Sequence, residues 1–498
     1  MFTCSDQGLI EFMKFVVKLY PEIMIKSKSV RMRFVKLLEG NIRSILRKVD
    51  DDVSVQKQWD CIEVHLKKGA VAKKDQMIKR LACIPGIQSF SEVTEFPFVD
   101  LDQTYLTLKD IYEDTLANKT FCVRVKRKGS HDFTSMDAER YIGGGLNQNT
   151  QAKHVSLRDP DVEIKLEINN EHFLLSQEKN LGLGGFPIAT QEDVLSLMSG
   201  GYDSAVSSYH MIKKGARTHY CFFNLGGSAH EIGVKQLSYY LWKEYGESHK
   251  VRFISVPFEL VVEEILERIE SGLMGVVLKR MMVRIAEKIA ERFNIQSLVT
   301  GESLGQVSSQ TLTNLNVIDR ACETLILRPL ISTDKQVIID EAKRIGTASI
   351  SETMPEYCGV ISKSPTVKAV LSKVEEEEKK FSDDLIERVL ERVTFEDIRD
   401  IVKQAEEKIG PAQETTQIDE QSVVLDIRAP EEQEHKPLEF KGTTVQVMPF
   451  YKLGSQFATL DSSKEYLLYC ERGVMSQLQA LYLQEQGHTN VKVLKIAS

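Results

Sequence analysis

Residues 13–20 alternate apolar and polar side chains with the period of a strand. Residues 29–49 then switch to helical spacing, with Val30, Phe34, Leu37, Leu38, Ile42 and Leu46 on one face. Residues 59–66 alternate again, and a second helical stretch ends near Pro85-Gly86. This order predicts a small α+β unit reaching about residue 100, with the patternless residues 1–12 as an extension before it. From residue 106 the pattern predicts a helix, a basic strand over 121–128, a helix across Gly143, Gly144 and Gly145, and paired strands over 162–168 and 172–176. A second α+β unit is therefore expected over about 101–180.

Residues 182–187 have the composition of a linker. Beyond them, short apolar runs over 194–198, 218–225, 252–258, 297–300 and 325–330 alternate with helical stretches. Short buried strands separated by helices predict a parallel, doubly wound sheet. Residues 375–380 (EEEEKK) read as a charged helix face and residues 410–421 as a polar tether. Runs over 423–427, 444–448, 466–469 and 491–494 predict a last, small α/β domain.

Composition narrows the class. At 498 residues, 42% hydrophobic and 27% charged, the chain has material for several cores, which excludes a low-complexity or single-module protein. No run approaches the roughly 18 uncharged apolar residues of a membrane span, and the N-terminus lacks a secretory pattern, so a cytoplasmic protein with no membrane partner is expected. Eight cysteines without a CxxC pair match neither a zinc ribbon nor an iron–sulfur site. Charge is uneven: residues 13–80 hold 17 Lys+Arg against 8 Asp+Glu, whereas residues 181–498 hold 36 against 46. A basic end on an acidic body suits a polyanion such as nucleic acid, with Arg124, Lys126, Arg127 and Lys128 extending the basic surface, although Lys-rich faces are most often only solvated.

Two loops carry chemistry. Ser199, Gly200, Gly201, Tyr202, Asp203 and Ser204 follow the apolar run 194–198 and open a helix. Glycines let backbone approach a ligand, hydroxyls and N–H groups face it, and the helix N-terminus favours an anion. The carboxyl end of a parallel strand is where such sheets bind ligands, and the missing GxxxxGK[ST] argues against a P-loop NTPase. Cys470 follows the run 466–469 and precedes Glu471, Arg472, Gly473 and another helix. A thiol at such a turn faces N–H groups and a helix N-terminus that stabilise a thiolate or persulfide. Cys358, in a Pro-Glu-Tyr-Cys-Gly loop outside any apolar period, reads as accessible; the remaining cysteines read as structural.

The SGGYDS hexad resembles the pyrophosphate loop of ATP pyrophosphatases, and Arg158-Asp159-Pro160-Asp161 resembles the THUMP RNA-binding domain. Lys279-Arg280-Met281-Met282, TGESLGQVSSQT over 300–311, LILRPLIS over 325–332 and MPEYCGV over 354–360 resemble the bacterial tRNA 4-uridine sulfurtransferase family. Cys470 with Asp426-Ile427-Arg428 upstream resembles a rhodanese domain, with Met475 where many rhodaneses carry Arg. The resemblance implies an α/β multidomain protein. Its parts would be a ferredoxin-like domain over 1–74, a THUMP domain over 75–180, a doubly wound adenylation domain over 181–405, a linker over 406–417 and a rhodanese domain over 418–498.

It also implies ATP, with Mg2+, bound by Leu197, Met198, Lys279, Gly301 and Gln310 beside the loop residues Ser199, Gly200, Gly201 and Ser204, with Asp203 and Lys335 serving activation. Read without it, Lys279 and Lys335 would be solvated helix lysines. It further implies that a uridine of tRNA, at position 8, becomes 4-thiouridine through adenylation. Sulfur would come from a Cys470 persulfide loaded by a cysteine desulfurase, and Cys358 would form a disulfide with Cys470 during turnover. The same persulfide would supply the sulfur-carrier protein of thiamine thiazole synthesis. Two alternatives stand beside this reading: a persulfide carrier module alone, which has no need of Asp203, and an amide-forming synthetase of the same loop class, which leaves Cys470 unused.

Overall fold

The computed structural model describes residues 12–67, 73–225, 227–352, 354, 364–402, 411–419, 422–428, 433, 437–440, 443–448, 453, 456–470 and 473–496. The chain divides into two units, Met1–Pro187 and Ile188–Ser498.

The first unit is built on one eight-stranded sheet. Its strands are β1 (Phe12–Leu19), β2 (Ser54–Lys57), β3 (Cys61–Lys67), β4 (Ile87–Pro97), β5 (Thr120–Arg127), β6 (His154–Val155), β7 (Val162–Ile168) and β8 (His172–Leu181), in the order β2-β3-β1-β4-β8-β7-β5-β6. Helices α1 (Pro21–Met24), α2 (Lys28–Leu46) and α3 (Lys74–Ala82) bury their apolar sides with β1, β3 and β4, and α4 (Leu101–Leu116) and α5 (Ser135–Asn149) do so with β5, β7 and β8. Phe34, Leu38, Ile42 and Leu46, spaced four apart along α2, are all buried, as the helical period predicts.

The two expected α+β units share this sheet because β4 pairs antiparallel with both β1 and β8. Strand β4 escapes the pattern for a physical reason. Its buried Ile87, Phe90 and Val93 stand three apart, a helix-like spacing, because register shifts at Lys18/Leu19 in the pairing with β1 and at Ser91/Val93 in the pairing with β8 break the two-residue period.

In the second unit, β9 (Val194–Met198), β10 (Thr218–Asn224), β11 (Arg252–Pro257), β12 (Ser297–Val299) and β13 (Leu325–Leu327) run parallel in the order β13-β12-β9-β10-β11. The edge strand β14 (Thr394–Asp397) adds antiparallel to β11. Its sequence, TFED, has one apolar residue and so shows no alternation; Glu396 is buried there by pairing with Lys235, Oε1 to Nζ 2.7 Å. Helices α6 (Tyr202–Lys213), α7 (Gly227–Leu241), α8 (Glu259–Arg268), α9 (Met274–Arg292), α10 (Leu312–Asp319), α11 (Lys335–Arg344), α12 (Ala348–Ser351), α13 (Leu371–Glu378) and α14 (Leu385–Glu391) complete this part. The core runs along α9, where Val277, Met281, Ile285 and Ile289 pack with Leu195 and Leu298; full burial of such side chains is worth about 1.5–3 kcal/mol each. From central β9 the chain builds β10 and β11 on one side and β12 and β13 on the other, which creates a switch point at the carboxyl ends of β9 and β12.

A second sheet in this unit contains β15 (Glu414–Thr415), β16 (Ser422–Asp426), β17 (Thr444–Val447), β18 (Glu465–Tyr469) and β19 (Val491–Leu494), all parallel, in the order β15-β19-β18-β16-β17. Strand β15 lies inside the stretch expected to be a tether. Glu414 and Thr415 pair with β19 through the backbone, and Glu414 Oε2 adds an ion pair with Lys495 Nζ at 2.6 Å, so their polarity hides the strand. Helix α15 (Val474–Glu485) packs on α7, where Gln479 Nε2 donates to Gln236 Oε1 at 3.0 Å. Among the described residues no helix is long and apolar enough to cross a membrane.

Candidate active site

Strand β9 ends at the switch point, and Ser199, Gly200 and Gly201 turn the chain into α6. Gly200 has φ +92°, which L side chains rarely adopt, and Gly201 caps α6 without a side chain, so the first-turn amides and positive end of the helix face the loop. Ser204 Oγ donates to Gly201 O at 2.9 Å, and Ser199 N donates to Ser204 Oγ at 3.3 Å. His230 Nε2 donates to Ser199 O at 3.0 Å; burial pushes the imidazole below its ordinary value despite that contact, so it is neutral at pH 7 and protonated on Nε2. Met354 fills a notch between two glycines. A Cβ on Gly200 would lie 3.0 Å from its Cγ, and one on Gly233 of α7 2.2 Å from its Cε.

The loop after β12 closes onto the same turn. A Cβ on Gly301 would stand 2.6 Å from the carbonyl carbon of Asp203 and 2.7 Å from Ser204 N, so only glycine allows this approach of two backbones. Lys335, the first residue of α11, reaches both carboxylate oxygens of Asp203 at 2.9 and 2.8 Å. Both side chains are partly exposed, so the pair contributes at most about 1 kcal/mol of stability. Its consequence is positional: an ammonium is held at the first turn of α6.

Lys279 lies on α9 with Nζ 2.8 Å from Glu302 Oε1, while Arg328 Nε stands 2.8 Å from Oε2 and Thr300 Oγ1 donates to Oε2 at 3.0 Å. Burial alone would raise the Glu302 carboxyl, but Lys279 and Arg328 outweigh it and hold it below the usual range. Gln310 is buried, and its Oε1 has no hydrogen-bond partner among the described residues. Such an orphaned acceptor suits a donor supplied by a ligand. Met198 is buried with its Sδ accepting from Ser208 Oγ at 3.1 Å, and Leu197 is half-buried. The structure thus brings Asp203, Lys335, Gly301 and Ser204 together at the turn and places Lys279 in the neighbouring Glu302 cluster. Glu302, Arg328 and Met354 stand inside the stretches 300–311, 325–332 and 354–360 without a role of their own there, and no motif marks His230. Glu302 and Arg328 each fall just beyond the carboxyl end of a parallel strand, a signal that could have marked them.

In the second sheet, Cys470 follows β18. Ser476 N donates to its Sγ at 3.3 Å, and Ser476 Oγ lies 3.3 Å from the same sulfur. Gly473, with φ +76°, lets the chain turn into α15, and Asp426 and Arg428 form a buried bidentate pair at 2.9 and 2.6 Å. Glu471 and Arg472 lie outside the described residues, as does Cys358. Burial pushes the Cys61 and Cys322 thiols up to about 11, so they stay protonated at neutral pH. No group of three or more His, Cys, Asp or Glu converges as a metal site among the described residues.

Residues 14–91 match the ThiI ferredoxin-like domain, residues 98–178 the THUMP domain and residues 189–382 the thiamine biosynthesis protein (ThiI) family. The tRNA sulfurtransferase of Shewanella sp. strain W3-18-1 is 63% identical over 97% of this chain and the whole of its own length. That of Shewanella baltica strain OS155 is 62% identical over the same shares. A crystal structure of a 4-thiouridine synthetase in complex with RNA and with bound ATP matches at TM-score 0.67 and 27% identity, covering 78% of this chain and all of that one. With such identity along the full length of its relatives, the chain belongs to the tRNA sulfurtransferase family.

Proposed function

We propose that this chain uses ATP to activate O4 of a uridine in tRNA, at position 8, and replaces that oxygen with sulfur carried on Cys470. In this reading residues 1–180 hold the RNA, 181–405 adenylate it and 418–498 carry sulfur. The observation that carries it is the ammonium of Lys335 held on Asp203 at the first turn of α6, beside the glycine turn at the switch point. Loop amides, the helix end and this ammonium together suit a triphosphate. Gln310 Oε1 supplies an acceptor for a nucleobase donor. The donor set fits a magnesium ion that arrives on the triphosphate, since Asp203 already has Lys335 on both oxygens and no wider acidic cluster stands among the described residues. Bound there, the ion would offset charge on the departing pyrophosphate.

Uridine O4 attacks the α-phosphorus, the bond to pyrophosphate breaks, and the N3 proton is lost. The terminal sulfur of the Cys470 persulfide then attacks C4 and AMP leaves, so that sulfur bridges C4 and Cys470. Cys358 thiolate attacks the Cys470 sulfur, 4-thiouridine departs with the electron pair, and a Cys358–Cys470 disulfide remains for an external dithiol to reduce. A cysteine desulfurase is the class of enzyme that would load Cys470, in the cytoplasm. The match to a thiamine biosynthesis family supports a second use of the same persulfide, passed to a small sulfur-carrier protein. Asp203→Ala separates the two uses: it should abolish AMP release and tRNA thiolation while sparing tRNA binding and persulfide formation. Full ATP-dependent thiolation by that variant would refute the loop's assignment.

A further inference from the structure

The turn between β2 and β3, closed by Gln58 N donating to Cys61 O at 2.8 Å, presents Trp59 with 67% of its surface exposed. An indole left in water is unusual, since aromatic side chains bury large areas when they can. The other tryptophan, Trp242, is only 5% exposed, and its Nε1 donates to His249 O at 2.8 Å. Arg31, in the first turn of α2, sets its guanidinium 4.8 Å from the Trp59 ring centroid and so covers one side of the ring.

The neighbouring Asp60 draws three lysines, one from β1 and two from the end of β5. Lys18 approaches at 3.5 Å, Lys128 at 3.8 Å and Lys126 at 3.9 Å. Glu167 also takes Lys128 at 2.7 Å and Lys126 at 3.8 Å. Burial would raise the Asp60 carboxyl, but the lysines outweigh it and hold it below the usual range. Three lysines thus share two carboxylates, and Arg31 adds a fourth cation on the exposed aromatic ring. Surplus positive charge next to an aromatic platform is how proteins hold single-stranded nucleic acid, with phosphates on the cations and a base on the ring.

We propose that Trp59 stacks on an unpaired base of the RNA substrate, backed by Arg31, while Lys18, Lys126 and Lys128 take the flanking phosphates. Inside a duplex both faces of each base are covered by neighbours, so the occupant is an unpaired nucleotide. An acidic peptide would satisfy the lysines but leave the ring in water. The proposal deepens the tRNA reading above and rests on it.

The test is fluorescence of the full chain titrated with an unmodified tRNA transcript, using the difference between wild type and Trp59→Phe to isolate Trp59 from Trp242. Quenching of Trp59 by tRNA, but not by polyglutamate, is expected. Trp59→Ala should weaken tRNA binding about 5- to 150-fold, the range of base–aromatic stacking, with Trp59→Phe recovering most of it. The salt dependence of Trp59→Ala should match that of wild type, because the phosphate contacts remain. Unchanged Trp59 emission in a tRNA complex, binding by Trp59→Ala within twofold of wild type, or equal quenching by polyglutamate would overturn the proposal and leave the thiolation reading standing. Failure of wild type to bind tRNA at all would overturn both.

Discussion

Replacing Glu302 by Gln removes the one carboxylate shared by Lys279 and Arg328. All three side chains are at most one-fifth exposed, so water screens the loss poorly. Removing one partner of a buried pair costs about 3–5 kcal/mol; since Gln keeps the shape and one acceptor, we expect about 2–4 kcal/mol at pH 7. The loss should depend on pH with a definite sign. The folded carboxyl titrates below its unfolded value of about 4.3, so its contribution is complete above that value and vanishes as pH falls through the folded one. The gap between wild type and variant should therefore be full at pH 7 and shrink on acidification below about pH 4. Urea unfolding read from buried Trp242, in a Trp59→Phe background, follows this unit alone. ATP affinity should fall as well, because Lys279 loses the group that orients it. A gap below about 0.5 kcal/mol at pH 7, or one that does not change with pH, would refute this account of the cluster.

Gly301→Ala forces a Cβ onto the backbone of Asp203, so about 1–3 kcal/mol of stability and all pyrophosphate release should be lost while Cys470 still accepts sulfur; thermal unfolding and a pyrophosphate assay check both. Lys335→Gln should unfold within about 1 kcal/mol of wild type yet release no pyrophosphate, because its partly exposed pair with Asp203 positions charge more than it stabilises the fold. Cys470→Ala should lose both thiolation and sulfur carriage, whereas Cys358→Ala should keep the persulfide and lose thiolation. Without reductant, wild type should stall after a single turnover with a peptide linking Cys358 to Cys470, read by non-reducing peptide mapping.

The parts of the fold that sequence displayed are those whose burial follows a simple period. Strand β9 runs from Val194 to Met198 as expected, and α2 buries the face that its spacing marks. What escaped was specified by other means: β4 by bulges that mimic helical spacing, β14 by a buried ion pair, β15 by backbone pairing of polar residues. The site divides in the same way. The glycine turn and Cys470 stand out because their chemistry is local, in one loop each. Lys335 and Lys279 look like ordinary helix lysines until the fold sets one on Asp203, 132 positions away, and the other on Glu302. His230 supports the loop from α7, which carries no motif, whereas Met354 opens the 354–360 stretch without a packing role that its sequence could show.

ATP-dependent thiolation can be read in one reaction: nucleoside mass spectrometry of unmodified tRNA incubated with the full chain, ATP, a cysteine desulfurase, cysteine and a dithiol, with AMP counted in the same sample. Expected are 4-thiouridine at a single position, one AMP for each thiolated tRNA, and neither product with Asp203→Ala. Thiolation that proceeds without ATP, or AMP release that continues in Asp203→Ala, would contradict it.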